Sequence, residues 1–435
     1  MARADRPALS TVPTDDPPGA EAARRAVETL WRIESARIVG ALARYTGDFA
    51  LAEDVAQEAV AQALVGWARD GVPANPVGWL LTAARRRAVD AFRRRAALDD
   101  RYAVLAGQLA EPSSGDGDLP WDPDRVDDDV LALMFVACHP VLAPEARLAL
   151  TLRVVGGLSS EEIARALLVP VPTVQARITR AKKTIAAARV PFALPEPPQR
   201  RERLGGVLGV LYVIFTEGST ATAGDELLRP DLAYEAIRLA RTLAALLPAE
   251  PEVHGLLALC ELTAARFPAR VDADGAAVLL ADQDRRRWDR SAIRRGTAAL
   301  GRVVALGRGL GPYGLQASIA ACHAGAPSVE RTDWARVVLL YEALGRVAPS
   351  PVVELNRAVA VAMADGPQQA LSLVDEVAAG GRLAGSHLLP SVRGELLARL
   401  GRSAEARAEL EFAARLCRNV RERAVLLRKV DALGG

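Results

Sequence analysis

The sequence predicts an all-α protein, and three observations carry that expectation. Ala, Leu, Val and Arg dominate the chain and aromatic residues make up only 4% of its 435 residues, a composition that favours helix over sheet. Apolar residues recur at intervals of three, four and seven in one segment after another, the period of a helix with one buried face. Gly and Pro breaks such as Leu247-Pro248, Gly311-Pro312 and Pro349-Ser350-Pro351 punctuate the second half, as between successive helices. Half of the residues are hydrophobic, enough for large cores, and the length predicts two to four domains.

Residues 1–20 carry Pro7, Pro13, Pro17 and Pro18 among acids, with no apolar run, and read as a disordered N-terminus rather than a signal peptide. A helical unit over residues 21–102 follows. Within it, residues 75–95 (NPVGWLLTAARRRAVDAFRRR) open with Asn75-Pro76, a helix-start pair. Trp79, Leu80, Ala83, Ala84, Ala88 and Phe92 can face a core, whereas Arg85, Arg86, Arg87, Arg93, Arg94 and Arg95 stand against the single acid Asp90. The chain has 55 Lys and Arg against 53 Asp and Glu, a formal net charge of +2, so this positive charge is concentrated rather than diffuse. Such a face suits nucleic-acid phosphate; the alternative is an ordinary solvated basic face.

Residues 103–129 include EPSSGDGDLPWDPDRVDDD, rich in Pro, Gly, Ser and acid, and read as a flexible anionic linker. A compact helical unit is expected over 130–189. Its segment 158–185, LSSEEIARALLVPVPTVQARITRAKKTI, reads as two short helices joined by a tight turn. Ile163, Ala164 and Leu167 form the inward stripe of the first, and Val174, Ile178 and Ile185 that of the second. Pro172 is tolerated at a helix start, where its missing N–H would be unpaired anyway. On the second helix Thr173, Arg177 and Arg180 share an outward stripe, Gln175 adds an amide, and Lys182 and Lys183 extend the positive charge. A helix-turn-helix so equipped is built to enter a major groove; the alternative is an ordinary helical hairpin with an apolar stripe and a charged back. Leu168 departs from the pattern, since it occupies a turn position where such motifs often carry Gly.

Residues 200–435 form a third region, helix after helix. Residues 397–417 align with 360–380, so that Glu405-Ala406 meets Gln369-Ala370 at a spacing near that of tetratricopeptide repeats, which predicts stacked helical hairpins. In this region Arg266, Arg270, Asp272, Asp284, Arg285 and Trp288 make a dense cluster of both signs. One reading is a ligand- or partner-binding surface; the other is a salt-bridge network fixing helix register.

Several classes are disfavoured. No run approaches the length of a membrane span. Cys138, Cys260, Cys322 and Cys417 lie far apart with no C-x-x-C pair, which fits buried thiols in a reducing compartment and a cytoplasmic location. His139, His254, His323 and His387 are scattered, and no G-x-S-x-G, P-loop or dinucleotide fingerprint occurs, so neither catalysis, a metal nor a cofactor is expected.

The basic helix after a Trp-Leu pair, the acidic linker and the helix-turn-helix together resemble the bacterial sigma-70 family, specifically the extracytoplasmic-function sigma factors. Residues 51–64 (LAEDVAQEAVAQAL) add Asp54, Gln57 and Glu58, which match the family's D-x-x-Q-E pattern. The resemblance implies that these three dock on the β′ clamp helices of core RNA polymerase, with the β flap as a further contact. It also implies that residues 75–95 recognise the −10 promoter element through Asn75, Trp79, Arg85, Arg86, Arg87, Arg93 and Arg94. Residues 144–185 would read the −35 element through Thr173, Gln175, Arg177, Arg180, Lys182 and Lys183. Stretches such as IFTEGSTATAGDELL, RVDADGAAVLLADQDRRRWDR and PSPVVELNRAVAVAMADGP resemble the subgroup with a long C-terminal tetratricopeptide-like extension. That subgroup is often encoded beside a small DGPF-type protein, which the resemblance implies as a partner.

The expected function is thus an alternative sigma factor that binds polymerase, recognises both promoter elements and promotes melting, while its extension modulates activity. The competing reading is a stand-alone helix-turn-helix regulator with a ligand-sensing helical-repeat domain. Asp54, Gln57, Glu58 and the second basic helix weigh against it, since a repressor needs neither a clamp motif nor a strand-opening helix.

Overall fold

A computed structural model describes residues 19–96, 123–220, 225–272, 275–381 and 383–433. Most of the expected disordered N-terminus and residues 103–122 of the expected linker lie outside them. Among the described residues the fold is all-α, with no strand and one isolated antiparallel bridge, between Val271 and Ala277. None of these helices is long and apolar enough to cross a membrane.

The chain divides into two compact units, Met1–Ser159 with Arg177–Glu196, and Ser160–Ala176 with Pro197–Gly435. This division differs from the sequence expectation of a self-contained unit over 130–189, because the boundary runs through the helix-turn-helix.

In the first unit α1 (Ala20–Thr46) packs on α2 (Phe49–Asp70), α3 (Pro76–Ala96) and α4 (Pro123–Ala137), and α4 packs on α5 (Pro144–Val154). Asp48 caps α2 by accepting from Leu51 N at 3.0 Å, and Asn75 accepts from Gly78 N at 2.9 Å in the first turn of α3. Ile38, Leu42, Leu80 and Phe92 are among its fully buried side chains. The linker expectation fails at its end: residues 123–129 are helical, begun by Pro123, whose ring suits a first turn. There Asp129 is buried and accepts from Arg44 Nε at 2.9 Å. Gly157 at the end of the turn after α5 has φ +71°, and a Cβ there would sit 2.6 Å from Ser35 Oγ, so only glycine fits.

The helix-turn-helix consists of α6 (Ser160–Leu167) and α7 (Val171–Ala187). Ile163, Val174, Ile178 and Ile185 are buried as the periodicity predicts, and Leu167 is half-buried. Leu168 holds the turn at φ +51°, a conformation a side chain rarely adopts.

The second unit continues with α8 (Pro197–Ser219), α9 (Pro230–Leu246), α10 (Pro251–Ala264), the single turn α11 (Phe267–Arg270), α12 (Arg290–Ala305) and α13 (Pro312–Gly325). Six more follow: α14 (Trp334–Val347), α15 (Pro351–Ala364), α16 (Pro367–Ala379), α17 (Leu388–Arg399), α18 (Ser403–Leu416) and α19 (Val420–Ala432). Prolines at the first positions of α9, α10, α13, α15 and α16 explain the regular breaks. From α13 onward each helix packs on the next, so each apolar stripe is covered by its sequence neighbours. Gly218 lets α8 and α9 touch: a Cβ there would lie 2.4 Å from Ala233 N. Beside it Arg229 donates to Glu217 Oε1 at 2.5 Å and to the Ala166 carbonyl at 2.8 Å.

Candidate nucleic-acid and polymerase interface

The six basic residues expected on α3 take different roles. Arg86, Arg87, Arg93 and Arg94 are exposed. Arg85 is half-buried with its guanidinium 4.7 Å from the Tyr45 ring centroid, and Arg87 Nη1 donates to Glu58 Oε2 at 3.2 Å. Arg93 lies 3.9 Å from Asp90, a loose and exposed pair, and Arg94 donates to the Asp90 carbonyl. The side chain of Arg95 lies outside the described residues. Asn75 is exposed but its side-chain oxygen is engaged as a cap, and Trp79 packs edge-on against Trp67 with ring centroids 5.6 Å apart. The result is a helix with an apolar aromatic root and a cationic outer face.

On α2, Asp54 and Glu58 point outward one turn apart, whereas Gln57 is half-buried with its Nε2 lacking a hydrogen-bond partner. On α7, Gln175, Arg180 and Lys183 are exposed, and Thr173 and Arg177 are half-buried.

Lys182 departs from expectation. Its side chain is only 16% exposed and its ammonium meets the carboxylates of both Glu53 and Asp54, the latter at 2.6 Å. Glu53, 3% exposed, is also approached by Arg153 at 3.4 Å. Burial pulls the Lys182 ammonium down, but the two carboxylates outweigh it and hold its pKa above the ordinary lysine value. In this conformation Lys182 is an internal tie within the first unit, linking α7 to α2, and one of the expected DNA contacts is spent on one of the expected polymerase contacts. Sequence reasoning missed Glu53 altogether; the adjacent acids Glu53-Asp54 gave no hint which of them turns inward.

In the second unit the mixed-sign cluster separates. Asp284 pairs with Arg286 at 3.0 Å on the surface, and Asp272 accepts from Ala276 N at 2.8 Å in a local turn. Arg266, Arg270, Arg285 and Trp288 remain together, and among the described residues none of these three arginines forms an ion pair with a carboxylate. The expected salt-bridge network therefore does not include them. Asn356 is exposed, and Arg357 pairs with Glu354 at 2.8 Å, a local helix contact.

All four cysteines are free, with Cys138, Cys260 and Cys417 buried. His387, Cys417 and Glu422 bring donor atoms within 4.8 Å of one another. His387 Nε2 lies 3.2 Å from Glu422 and lowers its pKa, while burial and Glu422 push the Cys417 thiol up. The trio is a hydrogen-bonded cluster tying α19 to the start of α17.

Comparison with known proteins agrees with this layout. Residues 30–97 match sigma-70 region 2, and residues 132–185 match sigma-70 region 4. This chain belongs to the sigma-70 family. Within it the similarity runs to the extracytoplasmic-function sigma factors. The chain is 27% identical over 175 residues to the probable ECF RNA polymerase sigma factor SigI of Mycobacterium tuberculosis, covering 40% of this chain and 59% of that one. It is 28% identical over 149 residues to the ECF RNA polymerase sigma factor SigK of Mycobacterium ulcerans (strain Agy99), covering 33% and 74% respectively. Residues 203–304 match a family of unknown function, DUF6596. An uncharacterized protein of Rhizobium meliloti (strain 1021) is 44% identical over 407 residues, 91% of this chain and 93% of that protein. The helical extension is thus shared by a relative along nearly its whole length. The two sigma-70 regions, not the extension, give the chain a sigma factor role in transcription initiation.

Proposed function

We propose that this sigma factor binds core RNA polymerase through Asp54 and Glu58 on α2, reads the −35 element with α7 and holds the −10 element with α3 and the preceding loop. The observation that carries this reading is the pairing of two regions with complementary equipment on separate helices: a cationic α3 rooted by Trp67 and Trp79, and an α7 presenting Gln175, Arg180 and Lys183 to solvent. Guanidinium groups bind phosphate and guanine edges in a bidentate manner, and the half-buried Trp79 ring leaves an unpaired base a partial surface to stack on. Extruding a base costs a few kcal/mol, which phosphate contacts from Arg86, Arg93 and Arg94 would offset.

Engagement in this scheme requires the Lys182–Asp54 contact to open, because polymerase and promoter each claim one partner. Arg87 and Glu58 form a second pair of the same kind. The extension is proposed to modulate this engagement.

The test is affinity for core polymerase measured with labelled full-length protein. Asp54→Ala and Glu58→Ala are each expected to weaken binding about tenfold, a loss of roughly 1.4 kcal/mol, with helical content unchanged; unchanged affinity in both variants would remove the clamp assignment. Arg180→Ala is expected to lower −35 recognition, and an equal loss on every promoter sequence would make it a phosphate contact only.

A further inference from the structure

A pocket of about 510 Å³ opens in the second unit between the short turns at Leu280–Asp282 and Arg285–Arg287 and the chain just past α13. Arg285 and Trp288 line it on one side and residues 324–329 on the other. Trp288 is 3% exposed, yet its indole Nε1 has no hydrogen-bond partner. The Arg285 Nη2 is likewise buried and unpartnered, although Nη1 of the same side chain donates to the carbonyls of His323, at 2.5 Å, and Ala326, at 2.7 Å. Those two bonds aim the guanidinium and leave its second nitrogen idle. The His323 Nδ1 is a third buried atom with no partner.

Guanidinium and indole nitrogens can only donate, so what satisfies them must accept. Leaving such donors buried and unpaired forfeits the hydration they had in the unfolded chain. A neutral acceptor would meet that need, but the surroundings select for charge. Arg266 and Arg285 flank the Trp288 ring, with guanidinium carbons 5.6 and 4.5 Å from a ring centroid. Arg266 is held by Gln283 at 3.2 Å, and Arg270 by the Ser219 carbonyl and the Thr220 hydroxyl, all neutral groups. Glu330 and Glu422 act on Arg285 and Arg270 only from beyond ion-pair distance. Three guanidiniums therefore lie close together with no ion pair to a carboxylate among the described residues, and Asp284, which also lines the pocket, is paired with Arg286. Burial, and after it the charges of Arg270 and Arg285, bring Arg266 down to about 10.

We infer that this pocket binds a small oxyanion-bearing molecule, a phosphate or carboxylate compound, whose acidic group accepts from Arg285 Nη2 and Trp288 Nε1 with Arg266 behind them. The volume falls within the range usual for small-molecule sites. The inference does not depend on the polymerase assignment, since it concerns the extension alone and its test contains neither polymerase nor DNA.

The experiment uses the full chain labelled with 5-fluorotryptophan. Its six tryptophans give separate fluorine resonances, and Trp288→Phe assigns the one of interest. Inorganic phosphate, and in a separate arm succinate, is titrated at constant ionic strength against chloride. The expected result is saturable movement of the Trp288 resonance with one of the two anions, which identifies the class, while the resonances of Trp31, Trp67 and Trp79 stay fixed. Arg285→Gln should weaken that binding at least tenfold, whereas Arg287→Gln, an exposed neighbour outside the pocket, should change it less than twofold. Movement that never saturates, that chloride reproduces, or that Arg287→Gln reduces as much as Arg285→Gln would overturn the proposal. The wild-type titration is decisive even if a variant fails to fold.

Discussion

Replacing Lys182 with Ala should destabilise the first unit by roughly 2–3 kcal/mol, although the residue looks from the sequence like a surface cation waiting for DNA. The reason is Glu53. Its carboxylate is almost completely buried, and Lys182 and Arg153 are the cations that reach it, Arg153 from 3.4 Å. Removing one partner of a buried ion pair leaves the other charge desolvated and under-compensated, which generally costs about 3–5 kcal/mol. Arg153 remains in place, so the expected value is lower. Asp54, by contrast, has a side chain 61% exposed, and Asp54→Ala should change stability by less than about 1 kcal/mol. Hydrogen exchange at α2 and α5 under native conditions measures the loss. Glu53→Gln combined with Lys182→Ala should recover much of it, because the uncompensated charge is then gone. A Lys182→Ala protein within about 0.5 kcal/mol of the parent would mean the tie does not form in the free chain.

The second unit should lose stability as the pH falls from about 6.5 to about 4, with His323 as a principal cause. Burial, followed by the charges of Arg266 and Arg285, lowers its imidazole from the ordinary 6.5 to about 4. The groups facing it are those two arginines and, on α14, the Trp334 ring, whose centroid lies 5.2 Å away. None of them welcomes a proton. Between the two values the unfolded chain binds a proton that the native chain refuses, so native stability rises with pH across that window and is fully present above it. The total is on the order of 3 kcal/mol. Thermal unfolding followed across this range checks it, and His323→Gln should flatten the dependence. A variant with the same pH slope as the parent would assign the effect to other groups. An anion held beside Arg285 would narrow the window by offsetting the positive field.

Local chemistry made much of the fold readable in the sequence. Pro76 starts α3, Pro312 and Pro351 start α13 and α15, and the apolar intervals of residues 158–185 place Ile163, Val174, Ile178 and Ile185 in the interior. Helix starts and buried stripes depend on residues a few positions apart, which a sequence displays directly. The site was legible in its residue types but not in their pairing. Glu53 and Lys182 are 129 positions apart, so nothing local distinguishes a lysine tied inward from Lys183 beside it, which is exposed. The same limit applies to Arg266, Arg270 and Arg285. Acids stand close to them in sequence, yet Asp272 and Asp284 turn to local partners and leave the guanidiniums unpaired. Residues 123–129 show a third case, where an acidic run that reads as a tether is drawn into α4 and Asp129 finds Arg44, 85 positions away.

The central claim is tested most directly by run-off transcription with purified core polymerase and fragments of the host genome. The account predicts discrete transcripts that require the full chain, start downstream of a common pair of sequence elements, and weaken with Asp54→Ala and Arg180→Ala. Binding to duplex fragments by the chain alone, with no transcript when core polymerase is added, would contradict it and favour a stand-alone regulator.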